Sequence, residues 1–500
     1  MTVNRNPKKS RPYDEPPRRR RSLIPGGPDT AATGFFVAAA VWLAIATGIG
    51  ALAIALRLTD FTFAFPIELP INPFNWELGF QLDARRVEYA FLNASVYGWL
   101  SNAGFAAIAF MTPRLLGRRL AGETLVNLGM LIWNLALAGG IGLLYVLDLG
   151  PRAPLAAMPW FVTGGLATGA LIVGASYLAT IGPVIRSAYV GAWFAGVALL
   201  SLMGMLGVAA TLGLAEMFLD LGELTVPLVT TFLDRGVVVL WLLGMAYATL
   251  YYVIPRATGQ PLASGGLAWL AFAAWLVLAP GSMLGVLRDE HIPFFVTTAG
   301  AVATMLLLVP AVLTVVNLVQ TMQGRWTLLF GTGAVAFAAV SLAFLVAASL
   351  LEALASLRTV DAALTNTEWE RGAFLWSAFG AYSMAAFAIA EHALPRLLRR
   401  AWGGGMLSSL QLSLAFAGVT IAGVGLMGAG LAQSAFLAQG AAPEDIAAGI
   451  RPYLVLGFLG WGLGALAGLA MLVTLFLLYT SGEPAEYAVP GSTASATATH

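Results

Sequence analysis

The 500-residue chain has no cysteine, three histidines and only 10% charged residues. Without cysteine there is no disulfide, no thiolate metal site and no Cys-x-x-Cys-His anchor for a covalently attached heme. The three histidines are His291, His392 and His500. They leave little imidazole for metal or acid–base chemistry, and none falls midway along an apolar run. Charge this sparse excludes an ordinary soluble globule, in which about a quarter of residues are charged. No Gly-rich phosphate cradle follows a strand, which argues against a nucleotide site, and no feature points to nucleic acid.

What the chain does have is apolar length. Apolar residues make up 59% of it, gathered in about twelve runs of the ~20 residues that cross a hydrocarbon core. The runs cover 30–56, 87–111, 125–147, 160–181, 188–212, 226–254, 267–287, 294–319, 328–351, 373–394, 407–437 and 454–479. The expected fold class is an all-α integral membrane protein. Arginines gather at alternate junctions: Arg114, Arg118 and Arg119, then Arg186, Arg256 and Arg325, and last Arg396, Arg399 and Arg400. Those junctions share a side with an N-terminal tail carrying Lys8, Lys9, Arg18, Arg19, Arg20 and Arg21, whereas the opposite junctions carry Glu216, Asp220, Glu223, Asp289 and Glu290. The positive-inside rule then places both termini in the cytoplasm.

Residues 1–29 are polar, Pro-rich and basic, the composition of a disordered cytoplasmic tail. Residues 30–480 form the membrane domain, and 481–500, rich in Ser, Thr and Ala, are expected to be a second disordered tail. No internal repeat and no second domain are evident. The segments 59–86 and 352–371 hold enough aromatic and proline residues to pack as structured caps. Glycines spaced by four, Gly165 with Gly169 and Gly460, Gly464 and Gly468, predict close helix–helix approach.

A cation within a span is costly and faces either a partner or a water-filled cavity. Arg235 is such a residue. Its candidate counter-ions are Glu352, Glu368, Glu370 and its neighbour Asp234, although adjacent residues point to different faces of a helix. The alternative is that Arg235 snorkels to the nearer membrane face. Glu391 and His392, one turn before Pro395, also face apart and read as structural charges at the membrane boundary. His291 follows Arg288, Asp289 and Glu290 in a solvated loop.

Four blocks carry a family resemblance. Tyr89-Ala-Phe-Leu-Asn-Ala-Ser-Val-Tyr97 opens the second span. Asp234-Arg235-Gly236 opens the sixth, which runs on through Trp241 to Pro255-Arg256-Ala-Thr-Gly259. Pro280-Gly-Ser-Met-Leu284-Gly285 ends the seventh. Asn366-Thr-Glu-Trp369-Glu-Arg-Gly372-Ala373-Phe374-Leu375 leads into the tenth, which ends at Leu394-Pro395. Together, in this order, they resemble the large catalytic subunit I of the heme-copper oxidase superfamily, which includes cytochrome c oxidases and nitric oxide reductases. The divergent bacterial and archaeal branches are the most similar. The resemblance implies a twelve-helix subunit I-like bundle in a bacterial or archaeal cytoplasmic membrane.

In that family histidines at these blocks ligate a low-spin heme, an active-site heme and a copper ion. Here the resemblance puts Tyr89, Arg235, Leu284, Gly285, Ala373 and Leu375 at the ligand positions, and Val239 where some members have a cross-linked tyrosine. Leucine, glycine and alanine have no donor atom, and arginine stays protonated. Tyr89 alone could ligate iron, as a phenolate; otherwise it is an interfacial aromatic. The polar side chains of spans six to eight, Tyr247, Thr249, Tyr251, Tyr252 and Thr304, are too few for a continuous proton path.

The expectation is therefore a divergent member with no catalytic residue, no metal site and no cofactor. Heme b and copper enter only if the ligand alignment is displaced. Such a chain would be a structural or docking subunit of a membrane redox complex. Its partners would be other membrane subunits, lipids and a periplasmic electron carrier or carrier-bearing subunit. The alternatives are an active terminal oxidase or nitric oxide reductase with displaced ligands, and a transporter or channel using the emptied heme cavity.

Overall fold

The computed structural model describes residues 27–59, 61–66, 79–147, 152–287, 289–401 and 405–485. His500, Arg288 and most of both expected tails (1–26 and 486–500) lie outside the described residues. Eleven helices are long and apolar enough to cross a membrane. They are α1 (Thr30–Thr59), α3 (Glu123–Leu144), α4 (Trp160–Ser187), α5 (Val190–Ala215), α6 (Thr225–Thr258), α7 (Gly265–Val286), α8 (Phe294–Thr321), α9 (Gly333–Ala355), α10 (Glu368–Leu398), α11 (Gly405–Ala438) and α12 (Pro443–Ser481). A further long helix, α2 (84–116), completes the expected set. It carries Asn93, Ser95, Ser101 and Asn102, all fully buried. Helix α2 tolerates these polar groups because protein, not lipid, surrounds it.

Burial sorts the helices into a centre and a ring. The apolar stretches of α6 and α10 are 94% and 83% buried, against 33–56% for the other nine candidate spans. With α2 they form the centre, and their halves beyond the middle touch one another. The remaining helices wrap them largely in chain order, α3 on α4, α4 on α5, α7 on α8, α11 on α12, and α12 closes on α1. The α11–α12 seam bears out the glycine spacing. A Cβ on Gly418 would meet the Gly464 backbone nitrogen at 2.6 Å and the Gly460 carbonyl at 2.8 Å, so the two backbones touch where neither residue has a side chain.

The central helices share a design that the sequence alone did not disclose. Each contains one π-helical stretch: Ala94–Leu100 in α2, Val237–Leu242 in α6 and Trp376–Tyr382 in α10. A π turn spoils the i→i−4 ladder, and side chains supply the missing donors. Ser101 Oγ donates to the Val96 carbonyl (2.7 Å), and Ser383 Oγ donates to the Ala378 carbonyl (2.8 Å). Trp241 Nε1 donates to Ser101 (2.9 Å) and Trp99 Nε1 to Ser383 (2.8 Å), which ties α6 to α2 and α2 to α10. Indoles of the ring helices do the same: Trp133 caps the Tyr97 carbonyl and Trp275 caps that of Val239, both at 2.9 Å.

Each central helix also ends alike, at Pro113-Arg114, Pro255-Arg256 and Pro395-Arg396. A left-handed residue follows in each case, Gly117 (φ 61°), Gly259 (φ 66°) or Arg399 (φ 52°). The chain therefore repeats every fourth helix. Only the Pro-Arg pairs betray this in the sequence, because packing positions tolerate any side chain of the right volume.

The described parts of both expected caps hold short elements, and residues 60 and 67–78 of the first lie outside the described residues. Phe63–Pro66 pairs antiparallel with Gly79–Leu82 after α1, and a short helix, Arg358–Leu364, precedes α10. Both membrane-domain ends have ordered contacts at the expected tail boundaries. Asp29 is held by Arg114, and residues 483–485 pair with 399–401, Ala401 N–H to the Glu483 carbonyl and Ala485 N–H to that of Arg399. These backbone bonds give the start of the C-terminal segment an ordered edge.

Candidate functional site

At the end opposite the Pro-Arg pairs, the central helices open around a cavity of about 550 Å³. Its depth is apolar, with Ile54 of α1, Phe91 and Leu92 of α2, Val238 of α6 and Phe374 and Leu375 of α10. Its mouth is charged, with Arg57, Glu88, Asp234, Arg235, Glu370 and Arg371. Of the six expected positions, Arg235 and Leu375 line this cavity. Tyr89, Leu284, Gly285 and Ala373 are not among its lining residues.

Tyr89 instead faces an adjoining groove with Arg85, Glu444 and Arg451. Its hydroxyl donates to the Arg152 carbonyl (3.0 Å), and Arg85 stacks over its ring. The α2 side chains that do face Leu375's cavity are Glu88, Phe91 and Leu92, and of these sequence reasoning passed over the ring of Phe91. Phe91 stacks on Phe379 with ring centroids 6.0 Å apart and meets Trp461 of α12 edge-on at 5.2 Å; Trp461 in turn meets Phe379 at 4.8 Å. Trp461 Nε1 is pinned to the Thr47 carbonyl (2.9 Å), and Gly50 of α1 could not carry a Cβ without striking the indole. Three rings thus pack together where α1, α2, α10 and α12 meet, and two of them, Phe91 and Trp461, form part of the cavity wall. Their periodicity marks them only as core residues, so nothing in the sequence singles them out.

Asp234 and Arg235 turn to different partners, as adjacent helical residues must. Asp234 accepts from the Leu155 N–H (2.9 Å), which caps the short helix Pro154–Ala156. Arg235 Nη2 donates to Glu352 Oε2 of α9 at 2.8 Å, with 16% and 26% of the two side chains exposed. Of the candidate counter-ions, Glu352 is the partner. Glu368 belongs elsewhere, to a closed four-membered ring. Arg57 binds Glu88 and Glu368, and Arg371 binds the same two acids, with both contacts to Glu368 at 2.9 Å. The ring ties α1, α2 and α10 across the mouth of the cavity. Arg57 and Glu88 lie hundreds of residues from Glu368 and Arg371 in the sequence, which hides the ring from motif reading.

At the end of α7, Leu284 and Gly285 lie in the tight turn Met283–Val286. Gly285 packs backbone to backbone against Gly300 of α8, where an added Cβ would overlap the turn. Ala373 accepts a hydrogen bond from Ser377 at its carbonyl and presents a methyl. Val239 contributes its carbonyl to Trp275. Few polar groups of α6 to α8 connect: Tyr251 reaches Thr314 at 3.4 Å, Thr304 bonds back to Gly300, and among the described residues the buried Tyr247 hydroxyl has no hydrogen-bond partner.

The remaining titratable candidates are away from the cavity. His291 lies in an exposed turn, where its backbone N–H and then its ring hold the Asp289 carboxyl below its usual range. His392 is buried at the Pro-Arg end between Phe110 and Tyr252. Glu391 turns the other way, toward Ser408 of α11.

Comparison with known proteins gives one consistent likeness. Residues 30–463 match the family model described as cytochrome C and quinol oxidase polypeptide I. A cytochrome c oxidase subunit 1 homolog of Agrobacterium tumefaciens (strain T37) is 25% identical, over 92% of this chain and 87% of the relative. The Cbb3-type cytochrome c oxidase subunit CcoN1 of Stutzerimonas stutzeri is also 25% identical, over 43% of this chain. That match spans about half of the relative, 46%. Among solved structures, a heme-copper terminal oxidase dimer superposes with a TM-score of 0.72 at 15% identity, covering 92% of this chain and 87% of that one. At that identity the superposition speaks for the fold alone.

Proposed function

The chain belongs to the cytochrome c and quinol oxidase polypeptide I family, and on that premise we propose that it is a cofactor-free structural or docking subunit of a membrane redox complex. One observation carries this reading: the cavity between α2 and α10 is walled by apolar side chains, with Phe91 and Trp461 on its lining and Phe379 packed against both. There a low-spin heme would need two axial ligands, and the wall offers Phe91 and Leu375.

The rest of the donor set agrees. Imidazole is the usual ligand of heme iron and of the copper facing it. Arg235, Leu284, Gly285 and Ala373 supply none, and the contact of Gly285 with Gly300 leaves no room for a pair of side chains on that turn. These residues do not fit a heme–copper pair. The Arg235–Glu352 pair places a fixed cation near the cavity mouth. In a low-dielectric interior it balances charge where the family has a metal.

The basic Pro-Arg face is then cytoplasmic, and the acidic loops around Glu216, Asp220 and Glu223 face the periplasm. There they suit a basic electron carrier or a carrier-bearing subunit. The cavity itself favours a second reading, in which its apolar depth holds a lipid chain or other apolar guest. Purification of the tagged chain from native membranes in mild detergent tests the first reading. Comigration with heme-bearing subunits at a fixed ratio is expected, and recovery of the chain alone, with a small-molecule guest, would favour the second.

A further inference from the structure

The Pro-Arg ends of the three central helices build a second feature, remote from the cavity. Phe110, Tyr252 and His392 each stand three residues before the proline of their helix, and their rings meet edge to face. Phe110 lies 6.1 Å from Tyr252 at 86° and 6.2 Å from His392 at 80°, and Tyr252 lies 5.9 Å from His392 at 88°. On this plate of rings stand three arginines, each following its proline. The Arg114 guanidinium lies 3.8 Å from the Phe110 centroid and that of Arg256 lies 6.0 Å from Tyr252. Arg396 donates to the His392 carbonyl. All three cations lie within electrostatic reach of both Tyr252 and His392.

Among the described residues, Asp29 brings a carboxylate to this cluster. Both of its oxygens accept from the Arg114 fork, at 2.9 Å each. It does so from a left-handed backbone (φ 63°) just before α1, a conformation that non-glycine residues adopt rarely. Glu391 is adjacent to His392 in sequence but turns to Ser408. Arg256 is exposed, with an aromatic face as its contact.

Guanidinium forks match the oxygens of a carboxylate or a phosphoryl group equally well. Asp29 therefore occupies the cluster as an external anion would. We propose that Arg114, Arg256 and Arg396 form a binding site for a phosphoryl anion, with Asp29 as its internal competitor. The anion is either a soluble phosphate or the headgroup of an anionic phospholipid. The outer helices pack around the central ones and separate them from lipid, which favours the soluble source.

The test uses the full chain in nanodiscs of neutral phosphatidylcholine, titrated calorimetrically with inorganic pyrophosphate at low salt. A parallel arm uses phosphatidylglycerol nanodiscs without pyrophosphate, with retained lipid counted by native mass spectrometry. A soluble source predicts saturable binding in the first arm, and a headgroup source predicts selective retention in the second. In whichever arm binds, Asp29→Asn should tighten binding at least fivefold, and Arg256→Gln or Arg396→Gln should weaken it at least fivefold, with melting curves confirming that each variant is folded. Binding in neither arm would overturn the proposal. So would binding indifferent to these substitutions, which is what the basic N-terminal segment alone would give.

Discussion

The two ends of the central helices differ in kind. At the Pro-Arg end, α2, α6 and α10 are near copies, with a ring, a proline, an arginine and a left-handed stop on each. At the cavity end nothing is repeated. Helix α2 offers Glu88 to an arginine pair and Phe91 to an aromatic cluster, α6 offers Asp234 to a backbone and Arg235 to Glu352, and α10 offers Glu368, Arg371 and Leu375. The repeated end concerns how three helices meet, a packing problem with one solution used three times. The unrepeated end is where the family keeps its metal ligands. In this chain that end is held by ion pairs and packed rings, and on the proposed reading the scaffold stands there without the family's metals.

Four substitutions probe that contrast, each read as a shift in unfolding of the detergent-solubilised chain. The largest effect is expected from Trp461→Ala, which empties the space between Phe91 and Phe379 and should cost about 3–5 kcal/mol. The half-exposed Trp326 serves as its control, and equal losses at both sites would mean that the aromatic cluster contributes no packing of its own. Next is Arg235→Met, which leaves Glu352 without its partner. Breaking a fully buried pair costs about 3–5 kcal/mol and an exposed one under about 1 kcal/mol, so this partly exposed pair should cost about 2 kcal/mol. Adding Glu352→Gln should restore part of the loss, and a neutral single variant would instead mean that Arg235 acts as a snorkelling cation.

Third, Gly460→Ala drives a methyl into the Ala422 backbone and should cost about 1–3 kcal/mol by separating α11 from α12. Gly462→Ala, two residues on in open space, should gain up to about 1 kcal/mol in helix propensity; a loss there would undercut the seam as the cause. The smallest effect, about 1 kcal/mol, belongs to Ser383→Ala, which removes the acceptor of the Trp99 indole. It should be felt equally by the Pro-Arg end and the cavity end in hydrogen exchange, because the π stretch lies between them.

The helices, their number and the Pro-Arg stops were legible in the sequence because hydrophobic length and proline stereochemistry act locally. So was the division of labour between Asp234 and Arg235, since adjacent helical residues cannot share a face. Glu352 could be named only as one of several acids, because the choice depends on where α9 packs. Tyr89 drew notice as the one residue with a donor atom, yet the turn of α2 directs it outward and brings in Phe91. The ring of Arg57, Glu88, Glu368 and Arg371 and the triad of Phe110, Tyr252 and His392 were invisible for the same reason. Each joins three helices distant in sequence, and no local rule links them.

The central claim concerns the space between α2 and α10. Its most direct test is the heme and copper content of the purified chain, expressed with heme supplied and compared with an active oxidase large subunit handled identically. A pyridine hemochrome spectrum and elemental analysis should find neither metal above background per mole of protein. Stoichiometric heme b with copper would contradict the account, because Phe91, Leu375, Leu284, Gly285 and Ala373 offer neither metal a ligand atom.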